Sequence, residues 1–195
     1  MNDHASRRIA VVIGTGGGLG AALVRQASQN GQVDGSSGAY RSVLPLGRHT
    51  QPPLDYTDEA SLAAAARWVA AQCAESGAEL RLLVVGSGFL HGEPGQPERS
   101  WAHLDAAYLN HVFAINTIGP ALVMKHFLPL LPKCGRCVAL HPGTVDTALS
   151  QPFAKAGLKV RPAEEAAGDL LRVLDRLTPS DSGWLVDYRG QRLPF

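Results

Sequence analysis

The sequence predicts an α/β domain of three layers, with a doubly wound, mostly parallel sheet between two layers of helices. Short apolar runs at 9–13, 40–46 and 80–85 alternate with segments of helical periodicity, and each run ends at a glycine. The first run passes straight into Gly14-Thr15-Gly16-Gly17-Gly18-Leu19-Gly20 and then into a helical pattern at 21–29. Strand, glycine turn and helix in that order form a cradle for a dinucleotide. The glycines allow the tight turn, the close backbone approach to a pyrophosphate and the packing of helix on strand. The unpaired N–H groups at the helix start then face the anion.

At 195 residues and 45% hydrophobic content, the chain fits one compact domain, residues 1–195. The 18 basic and 17 acidic residues leave a net charge of +1 without a block of like charge, which excludes an electrostatic nucleic-acid surface. A small neutral or anionic ligand is the expectation. No apolar run is long enough to span a bilayer, so no membrane partner is expected. Arg7-Arg8 precedes only five apolar residues, too few for an export signal. The expected compartment is the cytoplasm, where the three cysteines remain thiols.

In order along the chain, 30–39 is rich in Gly and Ser and predicts a loop, and 40–46 predicts the second strand. Pro52-Pro53 bars a central strand, leaving Leu54-Asp55 at most a stub. Thr57 is the expected cap of a helix carrying Leu62, Ala65, Ala66, Val69 and Cys73 at helical spacing. The run at 80–85 reads as a buried parallel strand ending at Gly86-Ser87-Gly88. A Gly/Pro-rich loop at 93–99 leads to the longest helical pattern, 104–131, in which Pro120 implies a kink or break. A short strand at 136–140, a turn at 141–147, an amphipathic helix at 164–177 and a last strand at 184–188 complete the pattern.

These motifs, in this order, resemble the short-chain dehydrogenase/reductase family and its C-factor-like branch. Ile13-Gly14-x-x-x-Gly18-Leu19-Gly20 is similar to the family's glycine loop, with Ile13 where Thr is usual. Leu54-Asp55-Tyr56-Thr57-Asp58 resembles the adenine-contacting segment, and 113–120 resembles the helix that carries a structural and proton-relay Asn, here Asn116. The segment 142–147 resembles the loop that binds the nicotinamide carboxamide. The resemblance implies a Rossmann-like NAD(P) site built from Gly14, Thr15, Gly16, Gly18, Leu19, Gly20, Arg48, Asp55, Gly88, Pro142, Gly143, Val145 and Thr147, with no metal. Arg48 follows the second strand, where a guanidinium suits a 2′-phosphate, so NADP(H) is favoured over NAD(H).

The chain also departs from the family. Hydride transfer there uses a Tyr as acid, a Lys four residues on and a Ser at the carbonyl. Tyr40, Tyr56, Tyr108 and Tyr188 are the only tyrosines, and none has Lys at the fourth following position. Two strands that flank the catalytic segment look spliced into one at 135–142, which shortens the domain by about one strand and one helix. A parallel crossover needs a dozen residues or more and has no room here. Asn116 is the remnant of the catalytic set. In place of the family's Asn-Asn-Ala-Gly, the chain has Val85-Gly86-Ser87-Gly88, which keeps the close approach at Gly88 but loses both amides.

The primary reading is an oxidoreductase-family NAD(P)-binding protein with impaired or lost hydride transfer. One alternative is an active NADP-dependent carbonyl reductase acting on a small carbonyl substrate, with Tyr108 or His111 supplying the proton. A second is a signalling or interaction protein with a structural nucleotide. Cys134-Gly135-Arg136-Cys137 precedes a strand rather than a helix, so it lacks the dipole that lowers a redox thiol's pKa. With His126 or His141 the pair falls short of a zinc set built from two Cys pairs, and the two cysteines read as ordinary thiols. Loss of the covering helix is expected to expose apolar surface, buried in a homodimer through the Asn116 helix or else leaving a marginally stable chain.

Overall fold

β1 (Arg8–Ile13) is the spine of the fold, because Ile9 to Ile13 are all apolar and all buried. Its side chains alternate between two cores. Ile9, Val11 and Ile13 join Leu62, Val69, Val123 and Phe127 on one face; Val12 joins Ala22, Leu23, Ala167 and Leu170 on the other. A strand buried on both faces needs helices on both. α1 (Gly18–Val33) and α5 (Ala163–Arg176) form one layer, and α2 (Glu59–Ser76) and α4 (Gly119–Phe127) form the other. The chain therefore adopts the three-layer α/β class that its sequence predicts. This computed structural model describes residues 8–33, 40–93, 95–133, 135–151, 153 and 157–194.

β2 (Ser42–Leu46) and β3 (Glu79–Val85) flank β1 and run parallel to it, in the order β2-β1-β3. The winding reverses between β1 and β3, so the crevice for a ligand opens at the carboxyl ends of these two strands. β4 (Ala139–His141) pairs parallel with β7 (Leu185–Asp187), and β8 (Arg192–Leu193) closes an antiparallel hairpin on β7. β5 (Thr144–Asp146) and β6 (Val160–Pro162) form a small parallel ladder. Among the described residues, β3 pairs with β1 alone and β4 with β7 alone. Leu82, Leu83, Val84 and Val85 of β3 are only half-buried.

Several elements differ from expectation for local reasons. Asp58, not Thr57, caps α2: its carboxylate accepts the Ala60 N–H at 3.0 Å, while Thr57 is held by Asp55. The long helix at 104–131 is broken into α3 (Ala106–Phe113), a π-helical turn at Ala114–Ile118 and α4. Pro120 lacks the N–H that would bond the Asn116 carbonyl, and the ladder widens just ahead of it. The strand expected at 136–140 narrows to β4, and the expected turn at 141–147 contains β5. α1 continues to Val33, into the segment expected to be a loop, and residues 34–39 of that segment lie outside the described residues. No described helix is long and apolar enough to cross a membrane.

The carboxyl end of the fold is tied together by Asp181. It accepts the Thr178 N–H at 2.8 Å and pairs with Arg192 of β8 at 2.7 Å. The Thr178 N–H, then Arg192 and the Thr178 hydroxyl, hold its pKa down to about 2 from 3.8. Because the folded pKa lies below the unfolded one, the contribution to stability is complete above 3.8 and is lost as pH falls through about 2. Asp181→Asn is expected to melt below the wild type at neutral pH, with the two melting temperatures converging across that acid window. A gap independent of pH would contradict the role.

Candidate nucleotide site

The site begins at the carboxyl end of β1. Gly14 has φ 92°, in the left-handed region, and a Cβ there would lie 2.6 Å from the Ser87 backbone nitrogen. A Cβ on Gly20 would overlap the Gly14 carbonyl oxygen. The two glycines thus let α1 start directly above the strand end, which aims its first-turn N–H groups, without intrahelical acceptors, at the crevice. No acidic residue stands in that first turn to compete for them. A Cβ on Gly16 meets nothing within 4 Å, so this glycine is not sterically required.

The segment 142–147 folds over the start of α1. A Cβ on Gly18 would come 3.0 Å from Thr147 Cγ2, so two stretches far apart in sequence meet here. Arg161 anchors the segment from behind. Only 2% exposed, it donates to the Pro142 carbonyl at 3.3 Å, pairs with Glu165 at 3.0 Å and with Asp169, and stacks over Tyr188 at 4.0 Å. Gly143 lies against Tyr188 and Arg161, and His141 Nδ1 accepts the Gly143 N–H at 2.8 Å. Val145 is buried beneath them. A buried guanidinium with these partners fixes the loop, because leaving any of them unpaired carries a desolvation penalty.

Arg48 is exposed in a turn closed by Thr50, whose hydroxyl accepts the Gly47 N–H at 2.9 Å. The Thr15 hydroxyl reaches the Leu46 carbonyl at 3.5 Å, bringing the glycine turn beside the end of β2. Asp55 accepts the Thr57 N–H at 2.8 Å and the Thr57 hydroxyl at 2.7 Å. These bonds hold its carboxyl below the usual range, and the nearby positive charges of Arg48 and His111 add to the effect. Arg48 and Asp55 thus form one charged corner at the β2 side of the crevice.

On the β3 side, Asn116 Oδ1 accepts the Phe89 N–H at 2.8 Å and Asn116 Nδ2 donates to the Phe89 carbonyl at 2.7 Å. Its amide clamps the loop after β3. A Cβ on Gly88 would make only ordinary contacts, 3.8 Å from Asn116 Oδ1. The two substitute proton donors are engaged in the same loop. The Tyr108 hydroxyl donates to the Leu90 carbonyl at 2.9 Å, and His111 packs edge-on against Phe89 at 4.6 Å. Cys134 lies outside the described residues, Cys137 is exposed as a free thiol, and no group of three or more His, Cys, Asp or Glu converges among the described residues.

Four contributors to the site escaped the sequence reading: Ser87, Tyr56, Arg161 and Tyr188. Arg161 and Tyr188 carry no motif and become partners only through the fold. Tyr56 is buried with its hydroxyl unpartnered among the described residues, a state that costs about 1–3 kcal/mol. Burial pushes its pKa up. Gly119, against which the Tyr56 ring packs, was the available signal.

Known proteins share this architecture. The structure superposes on the NADPH-bound carbonyl reductase from chicken fatty liver with a TM-score of 0.78 and 20% identity, covering 97% of this chain and 94% of that one. C-signal of Myxococcus xanthus is 40% identical over 66 residues, 34% of this chain and 37% of the relative. Cis-4-hydroxycyclohexanecarboxylate dehydrogenase of Sinomonas cyclohexanicum is 28% identical over 159 residues, 77% of this chain and 60% of the relative. The chain is similar in sequence to these two proteins over those stretches, and it shares the fold of the carbonyl reductase. No family model matches it, and it spans less than two thirds of the length of either curated relative. The glycine turn and the segment 142–147 are in contact at Gly18 and Thr147.

Gly16 and Gly20 differ in the room a side chain would find. Gly20→Ala is expected to destabilise the fold by about 1–3 kcal/mol through overlap with the Gly14 carbonyl, whereas Gly16→Ala stays within about 0.5 kcal/mol of wild type. Urea unfolding of both variants measures the difference; equal losses would contradict it.

Proposed function

We propose that this chain binds a nicotinamide dinucleotide, NADP(H) in preference to NAD(H), and has lost its family's hydride transfer. The observation that carries the reading is the start of α1, set against the end of β1 at the reversal of strand order, a cradle that a Cβ at position 14 or 20 would fill. In this mode Gly14, Thr15, Gly16, Gly18, Leu19 and Gly20 hold the pyrophosphate. Arg48 takes the 2′-phosphate and Asp55 the adenine. Gly88 gives close approach at the ribose, and Pro142, Gly143, Val145 and Thr147 hold the nicotinamide. The NADPH carried by the chicken carbonyl reductase supports the assignment.

A bound NADPH supplies the hydride, but carbonyl reduction also needs an acid at the developing alkoxide. This chain has no Tyr-x-x-x-Lys pair, the Tyr108 hydroxyl is engaged by the Leu90 carbonyl, and Asn116 is engaged by Phe89. The substrate class of the ancestor is a small carbonyl compound, and the setting is cytoplasmic. A second copy of the chain covers α3, the π-helical turn and α4, whose Phe113, Ile118 and Met124 are exposed, together with Leu128 just beyond α4.

Calorimetric titration is expected to show binding of NADPH more tightly than NADH. Arg48→Ala should lower NADPH affinity by about 10- to 100-fold and leave NADH unchanged, as loss of a charge-assisted contact requires. Steady NADPH oxidation with a panel of carbonyl compounds would reverse the conclusion on catalysis. Sedimentation equilibrium is expected to find a homodimer that Phe113→Glu and Ile118→Glu dissociate; a stable wild-type monomer would contradict that partner.

A further inference from the structure

We propose that the turn at 147–151, latched by His91, bars the nicotinamide end of the crevice, and that a dinucleotide enters only when this latch opens. The inference rests on the nucleotide reading above and assigns that site a gate. The turn touches both walls of the crevice. On the α1 side, a Cβ on Gly18 would come 3.0 Å from Thr147 Cγ2. On the β3 side, His91 Nε2 lies 3.0 Å from the Leu149 carbonyl oxygen, and the His91 ring is tilted against Phe153 with centroids 5.6 Å apart. Between these two holds, Leu149 Cδ2 would lie 4.0 Å from a Cβ on Gly88. The leucine thus covers the glycine assigned to close approach at the ribose, and a side chain and a sugar cannot share that place.

The turn is built to move as a unit. Ser150 Oγ donates to the Val145 carbonyl at 2.7 Å and accepts the Thr147 N–H at 3.2 Å, and the Ser150 and Gln151 N–H groups both reach the Thr147 carbonyl at 3.0 Å. The hold at Gly18 is steric, so the directional one is His91. A carbonyl oxygen only accepts, so His91 Nε2 carries the proton and donates it. Leu149 is already 39% exposed and Phe153 37% exposed, so swinging the turn outward gives up little apolar burial, and water can take over the His91 bond. A closed state that excludes the ligand lowers apparent affinity by the fraction of chains that are open. Loss of the latch therefore tightens binding, whereas loss of a residue that orders the turn around a bound nucleotide would weaken it.

The test compares wild type, His91→Ala, Leu149→Ala and the double variant by NADPH titration and by stopped-flow binding. His91→Ala is expected to tighten NADPH binding by about 3- to 10-fold, the worth of one hydrogen bond, with the gain in the association rate. Leu149→Ala is expected to tighten it as well, because the barred place is emptied while the latch stays. The double variant should bind no more tightly than the better single one, since both changes abolish the same closed state. Unchanged or weakened binding by His91→Ala, or gains that multiply in the double variant, would overturn the latch. If His91→Ala fails to fold, Leu149→Ala decides alone: tighter binding supports the gate, and unchanged or weaker binding overturns it. Binding by His91→Ala but not by wild type supports the gate. Failure of wild type and every variant to bind NADPH or NADH overturns the nucleotide reading, and this inference with it.

Discussion

The Gly14 carbonyl and Gly20 lie so close that no side chain fits between them, and the carboxyl end of the sheet is arranged around that contact. It sets the height at which α1 leaves β1 and therefore where the positive end of the helix points. It also brings α1 close enough for Gly18 to meet Thr147 across the crevice. A helix displaced by even one methyl group would shift its packing on α5 through Ala22, Leu23, Ala167 and Leu170, all of which are buried.

A second constraint acts from the opposite wall. Arg161 is buried, yet it carries a charge, which Glu165, Asp169, Tyr188 and the Pro142 carbonyl offset. Such a network contributes little net stability compared with an apolar replacement, but it admits a single arrangement. Here that arrangement ties β5, β6, α5 and the strand-end residue Tyr188 to one loop. The rigid glycine turn and the pinned 142–147 segment form the two jaws of the proposed nucleotide site.

The interrupted sheet explains why such constraints matter in this chain. β1 is sealed on both faces and both edges, whereas β3 has only one paired edge among the described residues. Without a neighbour beyond β3, the loop that follows it needs another hold, and Asn116 together with Tyr108 and His111 provides it. Residues that could have served proton transfer are thereby engaged in packing. Phe113 of α3 and Met124 of α4 are exposed.

The alternation of short apolar runs with helical periods determined the three layers, because a strand buried on both faces can contain little else. The glycines at 14, 18 and 20 marked the turn, since each replaces a side chain that would collide with backbone or with a neighbour. The absence of a Tyr-x-x-x-Lys spacing was also legible, being a fact of sequence. The break of the long helix into α3 and α4 was signalled by Pro120, but its π-helical form was not. Only the tertiary structure decided what lies far apart in sequence: Arg161 with Pro142 and Tyr188, Thr147 with Gly18, and Tyr56 with Gly119. These contacts have no periodicity, and each depends on how two independently formed elements are brought together by the cores that β1 divides.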